Sequence, residues 1–273
     1  MATEPNAYEA RWRTVCAELD AHPEISVRYR NDGDLDARFA DPDAAWTALT
    51  TPDTAPDTTS STAPDTTSST APDSTSDTTS STAPDSTSDT AHGAGSADAS
   101  GEITAPAGLA DCFVRFRGLG RQWTTTEPGV GGEFFLTSLA HAKPQAYDSW
   151  IDPWEGGKRF PSAELRIIDE HPVTGTGNFA GIRLRPGGGE PELWWSTIRY
   201  ADWRLDIGYR EYLDTLLLTR GAFGWQFLFT RAPLATEEFD LVRARLERTL
   251  DALPGLFPED DYTHLKRRFE ERL

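Results

Sequence analysis

The chain has 273 residues, of which 26 are Lys or Arg and 44 are Asp or Glu, giving a formal net charge of −18. That balance argues against the broad basic face with which a nucleic-acid binder neutralises phosphates. Its two cysteines, Cys16 and Cys112, are too few for a disulfide scaffold or a cysteine-rich zinc site.

Tyr8, Trp12, Val15, Cys16 and Leu19 recur at helical spacing and predict a first helix that halts near Pro23. Ile25, Val27 and Tyr29 alternate as a strand does, and Asn31-Asp32-Gly33 turns the chain. Asp41 and Pro42 read as the N-cap and first residue of a short helix that holds Trp46 and Leu49. Residues 1–49 thus supply N-terminal elements of a domain, which a tract at 50–105 separates from the rest. The tract is almost entirely Thr, Ser, Ala, Pro and Asp, with no aromatic residue and no Lys or Arg. A TAPD unit recurs at Thr54, Thr62, Thr70 and Thr82. Units without an apolar face cannot stack into a solenoid, and so little hydrophobic surface cannot offset ordering entropy, so a disordered insert is expected.

The main part, 106–273, reads as a helix, then strands, then helices. Leu109, Cys112, Phe113 and Phe116 have helical spacing and predict a helix ended by Gly118 and Gly120. Residues 133–139 and 165–168 read as strands, and 179–185 with 192–197 as a hairpin. Residues 209–217 carry an apolar helical face that Gly221 should stop, with Arg220 in the last turn; an aromatic run, 223–229, follows. Two closing helices present Phe239, Val242, Leu246, Leu250 and Leu253, then Tyr262, Leu265, Phe269 and Leu273. Together these elements predict an α+β domain, a mainly antiparallel central sheet flanked by helices.

Little in the chain carries chemistry. The glycines at 175–181 lack dinucleotide-loop spacing and lead into a strand, so no helix N-terminus awaits a phosphate. His22, His92, His141, His171 and His264 show no metal-ligand spacing, and neither a metal nor a cofactor is expected. Asp169, Glu170 and His171 are the best acid–base cluster; a small hydrolase could use a carboxylate with the imidazole, whereas the structural alternative is a polar strand end. Trp194 and Trp195 are adjacent in a strand and must leave opposite faces of the sheet, while Trp150 and Trp154 sit in a long loop. These four are the candidate partner-binding residues, against simple packing. The first residues, MATEPNAYEARWR, hold no apolar core of a signal peptide, and no later stretch reaches membrane length. A cytoplasmic protein without membrane association is expected.

The order of motifs resembles one family. LADCF at 109–113, Gly118-Leu119, Trp123 and GGEFFL at 131–136 are followed by Asp169, the turn at 174–178, Glu192-Leu193-Trp194, and YREYLDTLLLTRGAFGWQFLF at 209–229. This is similar to the cell-wall-assembly-regulator-like (Smi–Knr) domain of the SUKH superfamily, although Gly108-Leu109 stands where the family usually has Leu-Pro. The resemblance covers roughly residues 106–229 and implies a closing helix plus aromatic strand over its last part. It also implies a non-catalytic protein-binding domain, of the kind that includes immunity proteins sequestering a toxin with a basic surface. A small hydrolase centred on Asp169, Glu170 and His171, or a regulatory scaffold protein, is the alternative.

Overall fold

The computed structural model describes residues 4–39, 41–51, 103–144, 149–185 and 188–273. The tract expected to be disordered lies outside the described residues, except at its two ends. The residues flanking it belong to one compact unit.

Helix α1 (Ala7–Ala21) starts with a capping box: the Asn6 side chain accepts from the Glu9 backbone N–H, and the Glu9 carboxylate accepts from the Asn6 backbone N–H, each at 2.8 Å. Its buried stripe of Tyr8, Trp12, Cys16 and Leu19 lies on the sheet, with the Trp12 ring 5.7 Å from that of Phe134. Asp41 caps α2 (Pro42–Thr50) through the Asp43 N–H. The Trp46 indole of α2 then donates to the Ile103 carbonyl at 3.2 Å, which ties the two ends of the tract.

The sheet has seven antiparallel strands. β1 (Ile25–Asn31), β2 (Leu119–Thr125) and β3 (Gly131–Leu136) follow one another as neighbours. A ribbon of β4 (Trp150–Ile151) and β5 (Phe160–Pro161) stands apart before β6 (Leu165–Glu170) joins β3 through Leu136 and Asp169. β7 (Phe179–Arg183), β8 (Glu192–Thr197) and β9 (Ala201–Arg204) complete the order β1-β2-β3-β6-β7-β8-β9. On one face lies the main core, to which α1, α2, α3 (Tyr209–Thr219), α4 (Asp240–Leu256) and α5 (Thr263–Glu270) all contribute. The strand pleat sends Trp195 into that core and Trp194 to the other side. There the β4–β5 ribbon covers it, with the Phe160 ring edge-on at 4.9 Å. The α+β architecture read from the sequence is therefore present.

Three local expectations are corrected. Residues 109–116 make only a 3₁₀ turn, Leu109–Asp111, and then follow an irregular path with one bridge, Phe116 to Leu35. The carbonyls of Arg115 and Phe116 are taken by the N–H groups of Asp36 and Ser138, each at 3.0 Å, so tertiary hydrogen bonds outcompete the helical ladder. Likewise the aromatic run is no strand but a 3₁₀ segment, Trp225–Phe229, opened by Gly224 at φ +88°. All five of its side chains are buried, and an apolar run without period cannot distinguish strand from buried helix. Helix α3 ends one residue early: Arg220 itself takes the left-handed cap at φ 51°, and Gly221 follows at φ +69°. The Arg220 guanidinium then reaches Glu18 at 2.7 Å and Asp260 at 2.6 Å. Strands β2, β4, β5 and β9 were not anticipated, and Trp150, expected in a loop, lies in β4. In β2 nearly every side chain is buried, including Arg121, so it lacks the alternation that marks a strand.

Candidate functional site

Asp169 and Glu170 end β6 and His171 follows it, but the fold separates them. Asp169 is wholly buried; it accepts from the Tyr212 hydroxyl of α3 at 2.8 Å and from the Phe135 backbone N–H at 3.0 Å. Burial pushes its pKa up to about 7 against the pull of those two hydrogen bonds. Tyr212 is held well above the ordinary tyrosine range, first by burial and then by the Asp169 charge. Asp169 is thus a brace joining β3, β6 and α3. Glu170 is half-buried, and burial raises its pKa while Lys143 opposes the rise.

His171 is buried as well, so the polar strand end expected here is mostly interior. Neither ring nitrogen of His171 has a hydrogen-bond partner, and neither carboxylate beside it in sequence reaches it. Its ring instead meets Trp195 at 5.3 Å and Phe223 at 5.6 Å, both edge-on. Burial among such groups lowers its pKa to about 4, so the imidazole is neutral at pH 7. A buried polar group without a protein partner is costly. The turn after it is fixed by Glu133, a buried carboxylate of β3 that accepts from the backbone N–H groups of Val173 and Thr174.

Two adjoining clefts meet at His171 and share Asn178, Thr197 and Ile198. The first, about 550 Å³, is walled by Trp195, Tyr200, Phe223, Phe227 and Leu241. The second, about 580 Å³, is walled by Trp150, Ile151, Phe179 and Asp202. Asp202 on β9 fastens the aromatic loop to this end of the sheet. Its side chain accepts from Asp152 N–H at 3.1 Å and from the Ser196 hydroxyl at 2.5 Å, and its carbonyl accepts from Trp154 N–H at 3.1 Å.

Large apolar side chains stand exposed around these clefts. Trp150 is 58% exposed and Ile198 81%, and both line the second cleft; Ile198 and the exposed Leu241 line the first. Trp154, 41% exposed, rests on Trp203 at 5.2 Å and on Phe239 at 6.0 Å, two residues before Leu241. Exposed Val173 follows cleft-lining Pro172. Among the described residues, the sixth exposed large apolar side chain is the C-terminal Leu273.

Of the four tryptophans singled out from the sequence, Trp150 and Trp154 are accessible. Trp194 and Trp195 are buried at 5% and 1% exposure, and act through packing. Ile198, Leu241, Val173 and the cleft around His171 were missed. Leu241 could have been found, because it falls off the stripe of Phe239, Val242 and Leu246 that faces the core. Cys16 and Cys112 are free and buried, and burial pushes both thiols to about 11, away from reactivity at neutral pH. Among the described residues no group of three His, Cys, Asp or Glu side chains is placed to hold a metal ion, and no helix is long and apolar enough to cross a membrane. No family model matches the chain, and no curated protein or solved structure matches it.

Proposed function

We propose that this chain is a non-catalytic protein-binding domain whose partner docks on the apolar end of the sheet around His171. The observation that carries this reading is the gathering there of Trp150, Trp154, Val173, Ile198 and Leu241, all exposed. Single exposed apolar residues are ordinary, whereas a cluster beside apolar clefts marks an interaction surface. An aromatic and aliphatic centre with a polar rim is the anatomy of a protein interface. The net charge of −18 favours a partner with a basic surface. A toxin held in the cytoplasm by an immunity protein is the partner that the Smi–Knr resemblance implies.

The test is capture from the host lysate by the full chain, at low and high salt, with Ile198→Asp and Leu241→Asp alongside. One dominant partner should be retained by the wild type, more weakly as salt rises, and lost by both variants. Retention by the variants would remove the apolar surface from the account. Turnover of a substrate by the purified chain, abolished in His171→Ala, would replace binding with hydrolysis.

A further inference from the structure

Arginine in this chain is mostly committed to structure. Arg115 holds Glu9 at 2.5 Å, Arg121 holds Asp20 at 2.9 Å and Asp32 at 2.5 Å, and Arg183 holds Glu164 at 2.8 Å. Among the described residues the side chains of Arg28, Arg199, Arg245 and Arg248 make neither an ion pair nor a hydrogen bond. Three of these four line one cleft of about 270 Å³. Arg28 comes from β1, and Arg245 with Arg248 from one face of α4, a single turn apart.

Among the described residues no Asp or Glu lines this cleft. Like charges three residues apart on a helix repel one another, and a third guanidinium facing them adds to the repulsion. Among the described residues most other arginines meet a carboxylate, whereas these three, all exposed, do not, which leaves their charge open to an anionic ligand. The wall also holds Gln122, only 8% exposed, whose Oε1 accepts no hydrogen bond and would take a donor from the ligand and not a phosphate oxygen. The hydroxyl-bearing Thr124 and Thr249 complete the polar lining. Phe223 forms the apolar wall together with Trp123 and Val130, and the Arg245 guanidinium carbon lies 5.9 Å from the Phe223 ring centre.

We infer that the cleft between β1, β2 and α4 binds a small organic phosphate, its phosphoryl group held by Arg28, Arg245 and Arg248 and its body resting on Phe223. The guanidinium fork matches phosphate oxygens two at a time, which an ammonium cannot do. The cleft lies at the small end of ligand sites, with room for a phosphoryl group and about one ring. It abuts the His171 cleft, since Phe223 and Arg245 line both. The inference stands independently of partner docking, because it rests on unpaired charge and not on the exposed apolar residues.

Titration calorimetry of the full chain with phenyl phosphate tests it, with inorganic phosphate and phenol at matched ionic strength. Phenyl phosphate should bind saturably at one site, more tightly than inorganic phosphate, and phenol should not bind. Arg245→Gln and Arg248→Gln should each weaken binding about tenfold or more, the loss expected for a charge-assisted contact. Arg199→Gln, outside this cleft, should leave it unchanged. Without ligand, the melting temperature of Arg248→Gln should equal or exceed that of the wild type, because repulsion is relieved. Absent binding of phenyl phosphate, or equal binding by Arg248→Gln, would overturn the inference, as would a phosphopeptide that binds where phenyl phosphate does not.

Discussion

Around α1 and the start of β2 every buried charge has its partner, whereas at the end of β6 a buried imidazole has none. Glu9 accepts from the Arg115 backbone N–H at 2.7 Å, from its guanidinium at 2.8 and 2.5 Å, and from the Asn6 N–H at 2.8 Å. Arg121 is shared between Asp20 and Asp32. His171 lies equally deep and meets only aromatic edges and open cleft. Paired interior charge fixes how elements meet and is explained by the fold alone. Unpaired interior polarity beside exposed Ile198 and Leu241 is not, and this contrast directs attention to the β6–α4 end of the molecule.

The largest break in that contrast comes from the paired side. Glu9→Ala leaves the Arg115 guanidinium buried without its counter-charge, which should cost about 3–5 kcal/mol in urea denaturation. A loss below about 1 kcal/mol would mean that the pair contributes no more than a surface ion pair does. Next comes Gly221, where a left-handed φ of +69° coincides with close packing. A Cβ there would lie 2.9 Å from the Glu133 carbonyl oxygen. Gly221→Val should cost at least about 2 kcal/mol, strain and clash together. Wild-type stability in that variant would show that β3 and the end of α3 need not meet so closely.

Asp169 and His171 give the comparison a pH signature. The folded-state pKa of Asp169 is raised from 3.8 to about 7, so the folded chain holds the proton more tightly and stability falls as pH rises from about 4 to about 7. For His171 the folded pKa is lowered from 6.5 to about 4, so the unfolded chain binds more protons and stability rises with pH across that window. The two slopes oppose each other in the wild type. Asp169→Asn should therefore expose a rise in stability between about pH 4 and 6.5, and His171→Leu a fall up to about pH 7. Denaturation series across pH that stay parallel for all three proteins would contradict both assignments. At neutral pH His171→Leu should be neutral or stabilising by about 1 kcal/mol, since it removes unsatisfied nitrogens from an apolar setting. The smallest effects on stability belong to Ile198→Asp and Leu241→Asp, within about 0.5 kcal/mol by thermal melting, although both should abolish docking.

Much of the frame was legible in the sequence because it is written in periodic apolar residues and caps. The Asp41-Pro42 start of α2, the alternation of β1, the β7–β8 hairpin and the opposite faces of Trp194 and Trp195 all follow from local rules. The failures occur where distant groups decide. Residues 112–116 leave the helix because Asp36 and Ser138 take their carbonyls. The 225–229 run is buried on all sides, so no period discloses its geometry. The site was half legible: Trp150 and Trp154 stood out as loop aromatics, but Ile198 and Leu241 join them only once β8, β9 and α4 have come together. His171 was noticed for its carboxylate neighbours in sequence, and its position among Trp195 and Phe223 depends on the fold.

The central claim is that a protein partner docks over the apolar end of the sheet. Hydrogen exchange on the captured complex, compared with the free chain, tests it most directly. The account predicts new protection in residues 171–178, 197–200 and 240–245 and around Trp150 and Trp154, with α1 and β1 unchanged. Protection confined to α1, β1 or α5, with the His171 end exchanging as in the free chain, would contradict it.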